Sequence, residues 1–322
     1  MDISLDKFKE SDIFDTTDLF DFIVVGGGPA GLNAALYAKR KGLKVGVFTP
    51  EVGGQLHNTS EVDNYIGIQN IKGGALSDAF LKHTLELEVP IKTGHMVTHI
   101  EKVNGQFEVT LDNKKVYRSK TLLYATGGSP RKLQIPGEET YANIGVSYCT
   151  TCDAPFFKNE HVIVAGGGNS AAESVIDLAA WASKITVVHR SQWRADQILL
   201  DQHKKIPNLT VHLETQLLEV YGDGKRMKGV KAFDKVNQKE IDIPADGLFI
   251  EIGTIPKSDL IKHLVDLNDV GEVIVDRDQM TTCPGLFSAG DVTTQPYKQI
   301  IISAGEGATA ALAATNYIIH HS

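Results

Sequence analysis

Cysteine is scarce in this chain: three residues in 322, at Cys149, Cys152 and Cys283. So few cannot staple a small secreted scaffold, and a reducing, cytoplasmic location is expected. Long hydrophobic runs are also missing. The Ala- and Ile-rich stretch 300–319 is interrupted by Glu306 and Asn316 and reads as a buried helix, not a membrane span. The first 21 residues hold six Asp, one Glu and two Lys. With neither an apolar core nor an Arg-rich amphipathic pattern, they read as a polar arm rather than a leader. Leu5, Phe8, Phe14 and Phe20 are the arm residues expected to pack on a neighbour. Positive charge is in deficit: 32 Lys plus Arg against 40 Asp plus Glu, a net charge of −8. Without a long basic run, this argues against a nucleic-acid partner.

What is present repeats. The apolar strand Phe22–Val25 runs into the cluster Gly26-Gly27-Gly28-Pro29-Ala30-Gly31. Val162–Ala165 runs into Gly166-Gly167-Gly168-Asn169-Ser170-Ala171, offset by 140 residues. An Ala-rich helical stretch follows each, at 32–41 and 172–183, and then a second strand, at 44–48 and 184–188. Two βαβ units imply two parallel sheets with covering helices. Strands at 106–111 and 116–124, joined by Asp112-Asn113, read as a meander. Strands at 216–220 and 229–233, around Gly222-Asp223-Gly224, form a similar block. The stretches Gly127-Gly128-Ser129-Pro130 and Ile252-Gly253-Thr254-Ile255-Pro256 bracket the second βαβ unit as hinges. The expected fold is α/β, with two Rossmann-like, three-layer ββα nucleotide-binding domains, one inserted in the other: residues 1–127 with 255–322, and residues 128–254.

The glycine patterns carry chemistry. Gly26 makes the tight turn, Gly28 admits a pyrophosphate and Gly31 lets helix approach strand. Free N–H groups and the helix dipole then favour the anion. Glu51, 20 residues past Gly31, stands where an acid meets a ribose hydroxyl. In the second pattern Gly166, Gly168 and Ala171 take the same places, but the counterpart of Glu51 is Ser191, among His189, Arg190 and Arg194. A carboxylate repels a 2′-phosphate and arginine pairs with it, so this site favours NADPH.

Between the two patterns lies Cys149-Thr150-Thr151-Cys152-Asp153. This spacing lets both thiols sit at one helix N-terminus, where dipole and free N–H groups stabilise a thiolate. Asp153 can act as the acid that protonates a departing thiolate. A structural zinc site needs four ligands, and neither Cys283 nor the histidines complete one, so no metal is expected. Cys283, before Pro284 and an apolar strand, reads as structural.

With these residues assembled, the chain resembles the low-molecular-weight, bacterial-type thioredoxin reductases, class II pyridine nucleotide-disulfide oxidoreductases, from about Asp21 to Tyr317. Further matches are Gly53-Gly54-Gln55-Leu56, Asp63-Asn64-Tyr65, Ala125-Thr126-Gly127, Gly290-Asp291, Tyr297-Lys298-Gln299 and Ala304-Gly305-Glu306-Gly307. The resemblance implies FAD on Gly26, Gly28, Pro29, Ala30, Gly31, Glu51, Gly54, Gln55, Leu56, Asn64, Ala125, Thr126, Gly127, Gly290, Asp291, Gln299 and Ile300, with Asp291 on the ribitol. It implies NADPH on Gly166, Gly168, Asn169, Ser170, Ala171, His189, Arg190, Arg194 and Gly253. Electrons then pass from NADPH through FAD to a Cys149–Cys152 disulfide and on to thioredoxin or a thioredoxin-like partner. Cys152 faces the flavin, Cys149 attacks the partner, and Asp153 is the acid. The family works as a homodimer whose inserted domain rotates about the two hinges. Departures are Asn169 for the family's Asp and Ser191 for an Arg. They remove one 2′-phosphate ligand and open the site to NADH.

Gly168-Asn169-Ser170, Ala195-Asp196-Gln197 and 296–302 are also similar to the flavoprotein module of alkyl hydroperoxide reductase, which uses NADH and feeds an attached thioredoxin-like domain. Here the arm is about twenty residues, so a separate protein is the expected acceptor. The alternative is therefore an NADH-dependent donor to a thioredoxin- or glutaredoxin-like protein serving a peroxiredoxin. A ferredoxin–NADP reductase would keep both nucleotide sites but lack the dithiol. A non-catalytic flavin redox sensor would bind FAD and turn over poorly.

Overall fold

The computed structural model describes residues 14–59 and 61–321. Leu5 and Phe8 lie outside them. The chain divides into two compact units, Met1–Ser129 with Ile255–Ser322, and Pro130–Thr254.

In the first unit, β1 (Leu19–Gly27) leads into α1 (Pro29–Arg40) and back to β2 (Val45–Val52). A helical turn at Gly54–Asn58, α2 (Gly73–Glu86) and β3 (Ile91–Lys92) follow. The antiparallel run β4 (Val97–Val103), β5 (Gln106–Leu111) and β6 (Val116–Tyr124) comes next. The chain crosses to the second unit at β7 (Gly128–Pro130).

That unit holds β8 (Val146–Ser147), α3 (Thr150–Asp153), β9 (His161–Ala165), α4 (Asn169–Leu178), β10 (Lys184–Val188), α5 (Gln197–His203) and β11 (Leu209–His212). It continues with the meander β12 (Thr215–Gly222), β13 (Met227–Asp234) and β14 (Lys239–Pro244), and closes with β15 (Gly247–Ile250). After the return crossing at β16 (Thr254–Pro256), β17 (Leu286–Ser288) and α6 (Ile300–His321) complete the first unit.

Among the described residues the first unit has a seven-stranded sheet, β3-β2-β1-β6-β5-β4, with β17 also on β6. Strands β2, β1, β6 and β17 are parallel; β4, β5 and β6 are antiparallel. Successive side chains of a strand face opposite sides of its sheet. Phe22 and Val24 accordingly pack with the alanines of α1 and α6, while Ile23 and Val25 pack with the meander residues Phe107, Val109 and Tyr117. The second unit repeats the scheme on β11-β10-β9-β15-β8. There Val162 and Val164 face α4, and Ile163 and Ala165 face the meander. Both units are Rossmann-like, with one face of the sheet covered by helices and the other by a meander.

Boundaries differ from the sequence reading where local chemistry intervenes. Helix α1 starts at Pro29, whose fixed φ and missing N–H suit the first helical position. Helix α4 spans 169–178 rather than 172–183, because the chain tightens at Ala180 and Trp181 on its way to β10. Strand β2 runs on to Val52, which pairs with Gly27 past an irregularity in the register. Phe14 and Phe20, expected to pack on a neighbour, are buried in the chain's own core against Phe48 and, for Phe14, Tyr117. Among the described residues no helix is long and apolar enough to cross a membrane.

Two glycines of α6 separate packing from helix propensity. A Cβ on Gly307 would strike the Ala30 carbonyl of α1, whereas one on Gly305 would meet nothing. Gly305→Ala is expected to stabilise the protein by up to about 1 kcal/mol, the propensity gain alone. Gly307→Ala is expected to destabilise it by roughly 1–3 kcal/mol, because the overpacking exceeds that gain. Chemical denaturation of both variants checks this; equal effects would contradict it.

Candidate functional site

The first glycine turn is built by backbone touching backbone. Gly26 has φ 116°, and a Cβ there would strike the Ala125 carbonyl at the end of β6. A Cβ on Gly31 would strike the Gly26 carbonyl, so α1 lies directly on β1. Gly28 and Gly127 face open space. Helix α1 begins with no acidic residue in its first turn and with Gly28 as its cap. The first N–H groups of a helix have no intrahelical acceptor, so this end suits an anion.

Distant segments converge on the same turn. The Gly53 N–H donates to the Gly27 carbonyl at 2.8 Å. Gln55 Nε2 donates to Asp291 Oδ2 at 2.8 Å, across 236 residues of sequence. Asn64 Nδ2 donates to Gln299 Oε1 at 3.1 Å. Leu56 is buried with Val62 and Leu76, and Ile300 packs on them. A Cβ on Gly290 would lie 3.3 Å from the Ala30 Cβ. Thr126 donates to the Lys257 carbonyl at 2.7 Å. Glu51 is the penultimate residue of β2, its carboxylate largely exposed. Burial pushes the Asp291 carboxyl up, against the Lys298 charge and donors from Ser303 and Gln55.

Two contributors escaped the sequence reading in their roles. Glu306 Oε2 accepts the Gly290 N–H at 2.7 Å, and Asn33 Nδ2 donates to the Ala304 carbonyl at 2.7 Å. The glutamate was visible in the 304–307 match, but its partner lies outside that motif.

The second turn, in the other unit, repeats the construction. A Cβ on Gly166 would strike the Glu251 carbonyl, and Gly168 is open. Ala171 is buried in the first turn of α4, while Asn169 and Ser170 are exposed at its start. Asn169 exchanges two hydrogen bonds with Asp196, both 2.9 Å. The Arg194 N–H donates to the Gly167 carbonyl at 2.7 Å, so this segment lies along the turn. Arg190 and Arg194 are exposed, without ion pairs among the described residues. His189 differs from expectation. It is buried against Gly167, not displayed beside the arginines, and its Nε2 meets Ser191 Oγ at 3.1 Å. Burial lowers its pKa, as do the charges of Arg194 and Arg190, which favours a neutral ring supporting the turn. Gly253, with φ 95°, is exposed, and its carbonyl accepts the Arg131 N–H at 2.9 Å.

In the same unit Cys149 and Cys152 are joined as a disulfide with Cα atoms 5.3 Å apart. The expectation that a helix N-terminus would stabilise the thiolate needs correction. Helix α3 is only four residues long, so few peptide dipoles align. The N–H groups of Cys152 and Asp153 both bond the Cys149 carbonyl, and the Cys149 N–H bonds Ser147 Oγ. Asp153 is part-buried and accepts the Ser147 hydroxyl at 2.6 Å. Burial raises its pKa, and the Ser147 donor opposes the rise. Asp153 therefore keeps its proton to higher pH than an exposed aspartate. Cys283 is free and lies in the first unit, its thiol pushed up by burial.

A glycine turn opening a helix in each unit, with one Cys-X-X-Cys disulfide, is the equipment of an enzyme that moves electrons between nucleotides and a disulfide. The chain belongs to the pyridine nucleotide-disulphide oxidoreductase family, whose model matches residues 20–311. It is a flavoprotein oxidoreductase of thioredoxin reductase type. It is 39% identical over 318 residues to an alkyl hydroperoxide reductase subunit from Staphylococcus epidermidis, covering 98% of this chain and 62% of that protein. For the corresponding alkyl hydroperoxide reductase protein from Staphylococcus aureus the identity is 40% over 309 residues, covering 96% and 61%. The chain thus spans less than two thirds of these relatives' length. Thioredoxin reductase from Streptococcus pyogenes superposes with a TM-score of 0.88 at 34% identity, covering 94% of this chain and 99% of that one. The Giardia duodenalis thioredoxin reductase gives a TM-score of 0.88 at 28% identity, covering 93% and 99%.

The family implies FAD and a pyridine nucleotide. The first turn fits the dinucleotide: open glycines, unpaired N–H groups at the α1 start, and Asp291 held at its side. The second turn, with open Gly168 and no acidic residue in the first turn of α4, fits a pyridine nucleotide.

The Ser147–Asp153 bond makes a testable point. Ser147→Ala removes a donor that lowers the Asp153 pKa, so the carboxyl should titrate at higher pH than in the unsubstituted protein. Infrared titration of the protonated carboxyl band measures it; an unchanged or lower midpoint would contradict the assignment.

Proposed function

We propose that this chain is an NADPH-dependent disulfide reductase acting on thioredoxin or a thioredoxin-like protein, in the cytoplasm and as a homodimer. The observation that carries the reading is the Cys149–Cys152 disulfide beside a protonatable Asp153, in the unit that holds the second glycine turn. FAD bound at the first turn would take a hydride from the nicotinamide and supply two electrons to the disulfide. Gly26, Gly28 and Gly31 would give its pyrophosphate access to the α1 N–H groups, and Asp291, oriented by Gln55 and Ser303, would hold the ribitol. Gly166 and Gly168 do the same for NADPH at α4.

The chain's own residues do the rest. When the S–S bond takes two electrons, one sulfur remains a thiolate and the other gains a proton, for which Asp153 is the donor. The Cys149 thiolate then attacks the partner's disulfide, forming a mixed disulfide and releasing one partner thiolate. Cys152 attacks Cys149 in turn, closing the intramolecular disulfide and releasing the second partner sulfur.

Arg190 and Arg194, exposed and unpaired beside the turn, support NADPH by their fit to a 2′-phosphate. Ser191 and Asn169, with the 39–40% identity to the staphylococcal alkyl hydroperoxide reductase proteins, favour a second reading in which NADH is the reductant and the acceptor serves peroxide reduction.

Replacing Arg190 and Arg194 together by Ala is expected to raise KM for NADPH about 10- to 100-fold, the worth of charge-assisted hydrogen bonds, and to leave KM for NADH nearly unchanged. Steady-state kinetics with both nucleotides decide; equal changes would overturn the phosphate assignment. Cys152→Ser is expected to retain FAD and its reduction by NADPH while losing thioredoxin reduction. Full thioredoxin turnover in that variant would end the proposed mechanism.

A further inference from the structure

Thr150, the residue after Cys149, is buried, and its hydroxyl donates to Glu251 Oε1 at 2.8 Å. Burial raises the Glu251 pKa, and the Thr150 and Ser174 side chains and the Thr150 backbone oppose the rise. The charge acting on it, among the described residues, is that of Asp177, of its own sign. An ionisable group bonded to a buried threonine, with no cation paired to it among the described residues, is costly to withdraw from water. Its backbone is equally fixed. The Glu251 N–H donates to the Ala165 carbonyl at 2.8 Å, and its own carbonyl lies against Gly166. A single side chain therefore runs from the end of β15 to the turn that carries both cysteines.

We infer that Glu251 and Thr150 form a clamp that holds Cys149 and Cys152 together after the S–S bond opens, making the pair a stronger reductant. Two thiols kept in contact close again more readily than two on a loose turn, because the entropy of bringing them together is already removed. The equilibrium in question balances as protein dithiol plus glutathione disulfide giving protein disulfide plus two glutathione. The clamp shifts it toward protein disulfide. Thr150 pins the turn through its hydroxyl, while the Cys149 carbonyl gathers the N–H groups of Cys152 and Asp153. Glu251 acts through Thr150 and is a positioning residue. The inference rests on the reading that the pair cycles between disulfide and dithiol.

The test equilibrates the flavin-loaded protein anaerobically in glutathione buffers of graded ratio. Thiols are then counted by alkylation and mass spectrometry on the peptide carrying Cys149 and Cys152, so that Cys283 does not contribute. Thr150→Val and Glu251→Ala should each move the equilibrium toward dithiol about tenfold, the upper worth of a neutral hydrogen bond, or roughly 30 mV for this two-electron couple. The double variant should move little further, since both changes break one link. Glu251→Gln and Thr150→Ser retain the acceptor and the hydroxyl and should stay within twofold of the unsubstituted protein. Should Glu251→Ala fail to fold, Thr150→Val alone decides. Values within twofold for the Val and Ala variants would overturn the clamp, and so would a Gln variant that shifts as far as Ala. A pair that glutathione never reduces in the unsubstituted protein would instead overturn the cycling reading, and the clamp with it.

Discussion

At the first glycine turn, main chain rests on main chain with no side chain between. Gly31 sits on the Gly26 carbonyl, Gly26 on the Ala125 carbonyl, and Gly307 on the Ala30 carbonyl. These contacts bring the start of α1, the end of β6 and the middle of α6 to one point. The hydrogen bonds Gln55–Asp291, Asn64–Gln299 and Glu306–Gly290 then close around it. Each is an ordinary polar contact. Their joint placement depends on glycines at positions where any Cβ would push the helices off the sheet. The second unit uses the same device at Gly166, which rests on the Glu251 carbonyl, while Gly167 rests on the His189 ring.

Burial sorts the charges of the second unit. Asp153 and Glu251 have their pKa values raised, and His189 has its value lowered, in each case chiefly by loss of water. The uncharged forms are favoured inside, close to the disulfide and beneath the nucleotide turn. Arg190 and Arg194 remain outside, charged and free to meet an anion. Acid chemistry at the dithiol and phosphate recognition at the turn can thus coexist on one small sheet.

Much of this was legible in the chain. Strand, glycine cluster and helix repeat at an offset of 140 residues, and the short, uninterrupted apolar runs Phe22–Val25 and Val162–Ala165 before each cluster marked the buried strands. Other features were not, for physical reasons. Strand β14 is largely exposed and polar, so Lys239–Pro244 shows little burial pattern. His189 was grouped with Arg190 and Arg194 as a nucleotide contact, and no local pattern reveals that its ring is buried against Gly167. The dipole argument for the thiols assumed a helix longer than the four residues that form. Glu251 and Thr150 are 101 residues apart, and Asn33 and Ala304 271 apart; such partnerships have no local period to reveal them.

Electrons from the nicotinamide nucleotide must arrive at Cys149 and Cys152 if the proposed mechanism is right. The most direct measurement incubates the flavin-loaded protein with excess NADPH, without oxygen or any protein acceptor, and then alkylates and weighs the peptide holding both cysteines. The mechanism predicts two alkyl groups on that peptide after NADPH treatment and none before it. A bleached flavin with the disulfide still intact would contradict it.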